Sequence, residues 1–115
     1  MIGNLKPPFS YHGGKQRLAS KLVRLIPKHT VYVEPFCGGA TLMFRKPWPA
    51  ITSAHYYREI INDTNEDVMN FFRCLRDNGE ELCGKLELTQ YSESEHRWAK
   101  NIDCESNIER AVQFF

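Results

Sequence analysis

Val31-Tyr32-Val33-Glu34-Pro35-Phe36-Cys37-Gly38-Gly39-Ala40 is the stretch whose reading decides the fold. Val31, Tyr32 and Val33 are β-formers and read as a short buried strand. Glu34-Pro35 ends it, because proline has no N–H to give to a further ladder position. Gly38-Gly39 forms a tight turn where backbone can approach a ligand closely, and Ala40 opens a short helix over 40–46. A strand, a glycine turn and a helix at the carboxyl edge of a sheet is where open α/β folds bind nucleotides. The same residues also fit a plain strand-to-helix turn.

Upstream, Lys6-Pro7-Pro8 keeps residues 1–12 extended, and Gly13-Gly14 makes a turn. Leu18, Leu22, Leu25 and Ile26 share one helical face, which predicts a helix from Lys15 to Ile26, stopped by Pro27. Downstream, Lys46-Pro47-Trp48-Pro49 reads as a loop, and 51–57 is ambiguous. A second strand, Glu59-Ile60-Ile61, ends at Asn62-Asp63. The two strands are expected over 31–34 and 58–62, parallel and adjacent.

A helix then begins near Thr64 or Asn65, with Glu66 and Asp67 in its first turn. Val68, Phe71, Phe72 and Leu75 form its apolar stripe, and Asn78-Gly79 ends it. Residues 80–88 read as a weaker helix. Ser92-Glu93-Ser94-Glu95 and Ser106-Asn107-Ile108-Glu109 match the capping-box pattern of two more. The last has the stripe Ile108, Ala111, Val112, Phe115 and is expected to be still running at residue 115, as in a truncated chain.

The chain has 115 residues, 42% of them hydrophobic, enough for one small domain with a modest core. No apolar run nears the roughly 20 residues of a membrane helix, and the start Met1-Ile2-Gly3-Asn4-Leu5-Lys6 lacks a signal-peptide core. Cys37, Cys74, Cys83 and Cys104 form no C-x-x-C pair and no zinc spacing. Reduced intracellular thiols and a cytoplasmic location are the reading. Net charge is +1, but residues 1–33 carry six Lys/Arg and no acid, while 34–115 carry nine Lys/Arg against fourteen acids. The basic front suits an anionic ligand or a nucleic-acid backbone, and equally a solvated helix face.

Three stretches at strand or turn ends carry chemistry. Tyr11-His12-Gly13-Gly14-Lys15 offers backbone N–H groups and a cation to a carboxylate or phosphate, without P-loop spacing. The opening stretch is the second. Ile61-Asn62-Asp63-Thr64-Asn65 is the third: an acid after a second strand can accept from ribose hydroxyls, or can cap a helix.

In this order, these stretches resemble the Dam-type family of adenine-specific DNA methyltransferases. The residues that carry the resemblance are 6–15, Val33 to Gly39 and Ile61 to Asn65, and it continues through Phe71-Phe72-Arg73-Cys74-Leu75-Arg76-Asp77. The resemblance implies a partial Rossmann-like α/β fold with two parallel strands, followed by a helical segment. It implies S-adenosylmethionine as cofactor and Tyr11, Lys15, Glu34, Phe36, Gly38 and Asp63 as cofactor-binding residues. Tyr11 and Lys15 would lie near the methionine end, Phe36 and Gly38 near the adenine or middle, and Asp63 on the ribose. It divides the chain into a cofactor-binding part, 1–78, and the start of a DNA-recognition insertion, 79–115, with DNA as partner and no metal or membrane.

The family's catalytic Asp-Pro-Pro-Tyr is absent. Lys6-Pro7-Pro8-Phe9 mimics it but begins with lysine and sits in the N-terminal motif. The chain therefore reads as the front part of such an enzyme, inactive alone. A non-catalytic cofactor-binding remnant and a nucleotide-binding module using Gly13-Gly14-Lys15 remain as alternatives. His29, His55 and His96 are expected to have no chemical role, Trp48 and Trp98 read as packing or interface residues rather than base-stackers, and nothing nearby marks Cys37 as a nucleophile.

Overall fold

The structure, a computed structural model, describes residues 5–47 and 57–115. The readings of Trp48, Pro49, His55, residues 1–4 and most of the 51–57 segment fall outside those residues. The chain forms two compact units, one ending at Thr64 and one spanning Asn65–Phe115.

The first unit contains α1 (Ala19–Val23), β1 (Val31–Glu34), α2 (Thr41–Arg45) and β2 (Arg58–Ile61). The strands pair in parallel as expected, with Val31 opposite Arg58 and Glu34 opposite Ile61. Main-chain bonds extend the ladder past β1. The Asn62 N–H donates to the Glu34 carbonyl at 2.8 Å, and the Cys37 N–H donates to the Asn62 carbonyl at 2.9 Å.

Two local expectations are corrected. The strand β1 is not buried on both faces: Tyr32 and Glu34 point inward, while Val31 and Val33 are exposed. Period-two alternation puts the polar pair on the face that packs against α2 and leaves the valines outside, next to exposed Ile60. The first helix is only five residues long, not the twelve expected. It buries Ala19 and leaves Leu18 and Leu25 exposed, so the apolar stripe read from spacing is not the packed one.

The helix α2 begins without a capping side chain. Its N-cap, Ala40, is held in the left-handed region at φ 52°, a conformation that strains a residue with a Cβ. Glu34 supplies the missing cap from the adjacent strand. Its Oε1 accepts from the Met43 N–H at 2.8 Å, one of the helix's otherwise unpaired first-turn donors, and from the Tyr32 hydroxyl at 2.7 Å.

The second unit is all helical: α3 (Glu66–Asp77), α4 (Gly79–Leu88), α5 (Glu93–Asn101) and α6 (Asn107–Phe114). Asn65 caps α3 by accepting from the Asp67 N–H at 3.0 Å. Both expected serine caps form: Ser92 accepts from the Glu95 N–H and Ser106 from the Glu109 N–H, while the Glu109 carboxylate accepts from the Glu105 N–H rather than from the cap residue itself. Gly79 is not a left-handed stop. It is the first residue of α4, and Asn78 serves as the end of one helix and the start of the next. The core is Val68, Phe71, Leu82 and Ala111, with the Phe71 ring against Phe72, Phe114 and Phe115 at centroid distances of 6.0–6.1 Å. Buried Asn70 donates to the Asn107 carbonyl at 2.8 Å, tying α3 to the start of α6.

Candidate cofactor site

The three stretches singled out in the sequence meet at the carboxyl ends of β1 and β2. They line a cavity of about 180 Å³, and Tyr11, Lys15, Glu34, Phe36, Gly38 and Asp63 all contribute to its wall. Each reaches it for a local reason. Tyr11 opens a turn closed by the Gly14 N–H donating to its carbonyl at 2.9 Å, with Gly13 at φ 77° in the position that demands positive φ. Phe36 follows Pro35 at the strand's end, and its ring is 71% exposed, so it is an apolar surface available at the cavity. Asp63 follows β2.

Beside the main-chain bond from Cys37 to Asn62, a side-chain bond joins the two junctions. The Gly38 N–H donates to Asp63 Oδ2 at 2.9 Å, across 25 residues of sequence. Asp63 is therefore not the cap of α3, a role that Asn65 fills. The glycine turn also serves a close approach within the chain. A Cβ on Gly38 would lie 2.8 Å from Cδ1 of Tyr11, and one on Gly39 would lie 2.9 Å from the Phe9 carbonyl. The two glycines thus let the N-terminal segment lie directly on the turn, and Phe9 is buried beneath it.

The site's electrostatics are set by two carboxylates and one lysine. Burial, followed by Asp63 and Glu34, pushes the Cys37 thiol up to about 11, so it stays protonated at neutral pH and is no nucleophile. Burial and the bond to Glu34 likewise push the Tyr32 phenol upward. One first-turn donor of α2, the Met43 N–H, is already taken by the Glu34 carboxylate, and the Gly38 N–H by Asp63. That arrangement disfavours a phosphate at the glycine turn and leaves the Lys15 side as the cationic part of the wall.

Sequence reading missed the support behind the wall. Tyr32 and Met43 hold Glu34, and the i, i+2 spacing of Tyr32 and Glu34 on one strand face was the available signal. It also missed Lys46, taken for a loop residue. Lys46 is buried, bonds Glu59 and the Tyr57 hydroxyl, and lies 4.8 Å from the ring centroids of both Tyr32 and Tyr57. Burial pushes its ammonium down, but Glu59 and Tyr57 outweigh burial and hold it above its ordinary value. Among the described residues no group of three metal-ligating side chains converges, and no helix is long and apolar enough to cross a membrane. All four cysteines are free thiols.

A cleft at the carboxyl ends of parallel strands, walled by a glycine turn, an acid and an exposed ring, lies where open α/β folds place their ligand crevices. Comparison with known proteins narrows the class. The family model for D12 class N6 adenine-specific DNA methyltransferases matches residues 11–115, and the chain belongs to that family. It is 32% identical over 120 aligned residues to the type II methyltransferase M1.LlaDCHI of Lactococcus lactis subsp. cremoris, covering 96% of this chain and 39% of that protein. It is 31% identical over 68 residues to the DNA N-6-adenine-methyltransferase of Escherichia phage P1, over 59% of this chain and 8% of that one. It is 27% identical over 88 residues to the type II methyltransferase M.MjaIII of Methanocaldococcus jannaschii, over 71% of this chain and 29% of that one. The chain thus spans well under half of each of these relatives.

Proposed function

We propose that this chain is the S-adenosylmethionine-binding front part of a Rossmann-like DNA methyltransferase that acts on the exocyclic amine of adenine. The observation that carries the reading is the convergence of all six expected residues on one cavity, with the Asp63–Gly38 bond linking the two strand ends. The donor set fits the cofactor. Lys15 complements a carboxylate, and the exposed Phe36 ring offers a face to adenine. Asp63 is a carboxylate, the acceptor type that a pair of ribose hydroxyls needs. Glu34 and Asp63 give the wall an excess of negative charge, which suits a sulfonium and opposes a nucleotide's phosphates. That charge balance weighs against the phosphate-binding alternative.

The bound cofactor would supply an activated methyl group. This chain's residues would hold and orient it: Tyr11 and Lys15 at one end, Phe36 and Gly38 at the middle, Asp63 at the ribose. The cavity, about 180 Å³, is smaller than the roughly 300–1,000 Å³ usual for ligand sites, which supports a site that is only partly walled by residues 1–78. Residues 79–115 would begin the DNA-recognition part, with DNA as partner. No Asp-Pro-Pro-Tyr occurs in the sequence, so no acceptor for the adenine amine is assigned.

The test is amide NMR of the 115-residue chain titrated with S-adenosylmethionine and, separately, ATP. Weak binding that shifts Gly14, Phe36, Gly38 and Asp63 for the first ligand but not the second is expected. Shifts with ATP alone, or shifts confined to the helical unit, would overturn the reading. Incorporation of labelled methyl into DNA by this chain alone should stay at background.

A further inference from the structure

The helical unit carries a surface that the cofactor reading does not use. Two adjoining hollows of about 460 and 520 Å³ flank Trp98 and Val112, which wall both. Leu86 and Phe115 line the first and Leu88 the second. Tyr91, beside the first hollow, is 90% exposed, and Leu88 is 86% exposed. Large apolar side chains so exposed and so close together mark an interaction surface. The rim is mainly acidic: Glu93, Glu95, Asp103, Glu105 and Glu109 line it against Lys85, with Glu93 paired to Arg97 at 2.7 Å.

The complementary chemistry lies in the first unit. Leu18 and Leu25 are exposed on either side of α1, seven residues apart, so about 10 Å along a helical path. Arg17, Lys21, Arg24 and Lys28 surround them, all exposed, and no acid occurs in residues 1–33. The asymmetry extends to the whole units. Residues 1–64 hold nine Lys/Arg against three Asp/Glu, and residues 65–115 hold six against eleven. An apolar ridge in a basic field and an apolar groove in an acidic one favour each other's company over water and over their own kind.

We propose that the chain associates with a second copy of itself, the Leu18/Leu25 ridge of each copy seating in the α5–α6 groove of the other. The leucines fill the hollows beside Trp98, and the four bases meet the acidic rim. Because the rim is exposed, the charges set partner choice and salt dependence, while the leucines and aromatics supply most of the affinity.

Sedimentation equilibrium of the 115-residue chain across micromolar concentrations tests this. At low salt the weight-average mass should rise with concentration from 13.4 kDa toward twice that value. High salt should weaken association by about tenfold, as expected for contacts between exposed opposite charges. Leu25→Asp and Tyr91→Asp alter highly exposed side chains, so each should fold, as far-UV circular dichroism will check, and each should be monomeric alone. Lys21→Glu with Arg24→Glu is a second ridge variant that leaves the leucines in place. An equimolar mixture of Leu25→Asp and Tyr91→Asp should regain association, because it retains one intact ridge and one intact groove. A chain that stays monomeric at low salt overturns the proposal, as does docking within one chain, which would not depend on concentration. Association that ignores salt and both variants would place the contact elsewhere, such as the exposed Val31, Val33 and Ile60 face, and would also overturn it. So would a mixture that fails to recover.

Discussion

The front unit buries several polar side chains beside Phe9 and Tyr32, and the helical unit buries an almost wholly apolar core. Glu34, Thr41 and Lys46 are inside the first, Glu34 and Lys46 held by hydrogen bonds, while Val31, Val33 and Ile60 lie outside. The second packs Val68, Phe71, Leu82 and Ala111 and has one buried polar side chain, Asn70. The difference is one of purpose. A buried hydrogen bond adds little net stability but fixes geometry, whereas a buried ring adds stability with less directional demand. The front unit is organised to hold a turn in place, and the helical unit to hold itself together.

The contrast can be broken from either side. Phe71→Ala should have the largest effect, destabilising the helical unit by about 3–5 kcal/mol. Amide exchange in urea should show α3 and α6 opening early while β1 and β2 keep their protection; equal loss in both units would remove the distinction. Glu34→Ala should cost about 2–3 kcal/mol, because the Tyr32 hydroxyl and Met43 N–H are left without their acceptor. Its signature is loss of α2 protection, and a change confined to the cavity would show that the carboxylate's cap is unimportant. Gly38→Ala should cost about 1–3 kcal/mol through left-handed strain and the collision with Tyr11. It should also weaken any cofactor-induced shifts, since the Gly38–Asp63 bond sits at the same turn.

Two smaller effects sharpen the comparison. Ser106→Ala should lower the helical unit's stability by about 1 kcal/mol through loss of the α6 cap, with no effect on the front. The last is pH dependence. Unfolded, the Cys37 thiol releases its proton near 9.0; folded, it holds it to about 11. The folded chain therefore binds more protons between these values, and the front unit's stability, full below pH 9, falls as pH rises toward 11. Cys37→Ala should flatten that part of the melting-temperature profile, and an unchanged slope would assign the fall to other groups.

How much could be read beforehand differed between the units for a physical reason. The helices α3, α5 and α6 were legible because helix signals are local: a stripe at i, i+3, i+4 and i+7, and a serine followed three residues later by glutamate. The limits of α1 were not, because Leu18 and Leu25 obey helical spacing without being packed. The strand β1 was legible as a strand but not in its facing, since its β-formers alternate with residues whose burial depends on what lies opposite.

The sequence by itself determined the order of elements, the glycine turns, the caps of the helical unit and the family, all of them encoded within a few neighbouring residues. Tertiary structure alone decided that residues 11–15, 34–38 and 63 share one wall, because the Asp63–Gly38 bond spans 25 positions that no local pattern connects. It alone decided that Glu34 caps a helix that begins seven residues later. It also decided that Lys46 is buried among Glu59, Tyr57 and Tyr32. A charge or a carboxylate in a sequence has no assigned partner; only the folded chain supplies one, because pairing is a matter of distance in space and not of separation along the backbone.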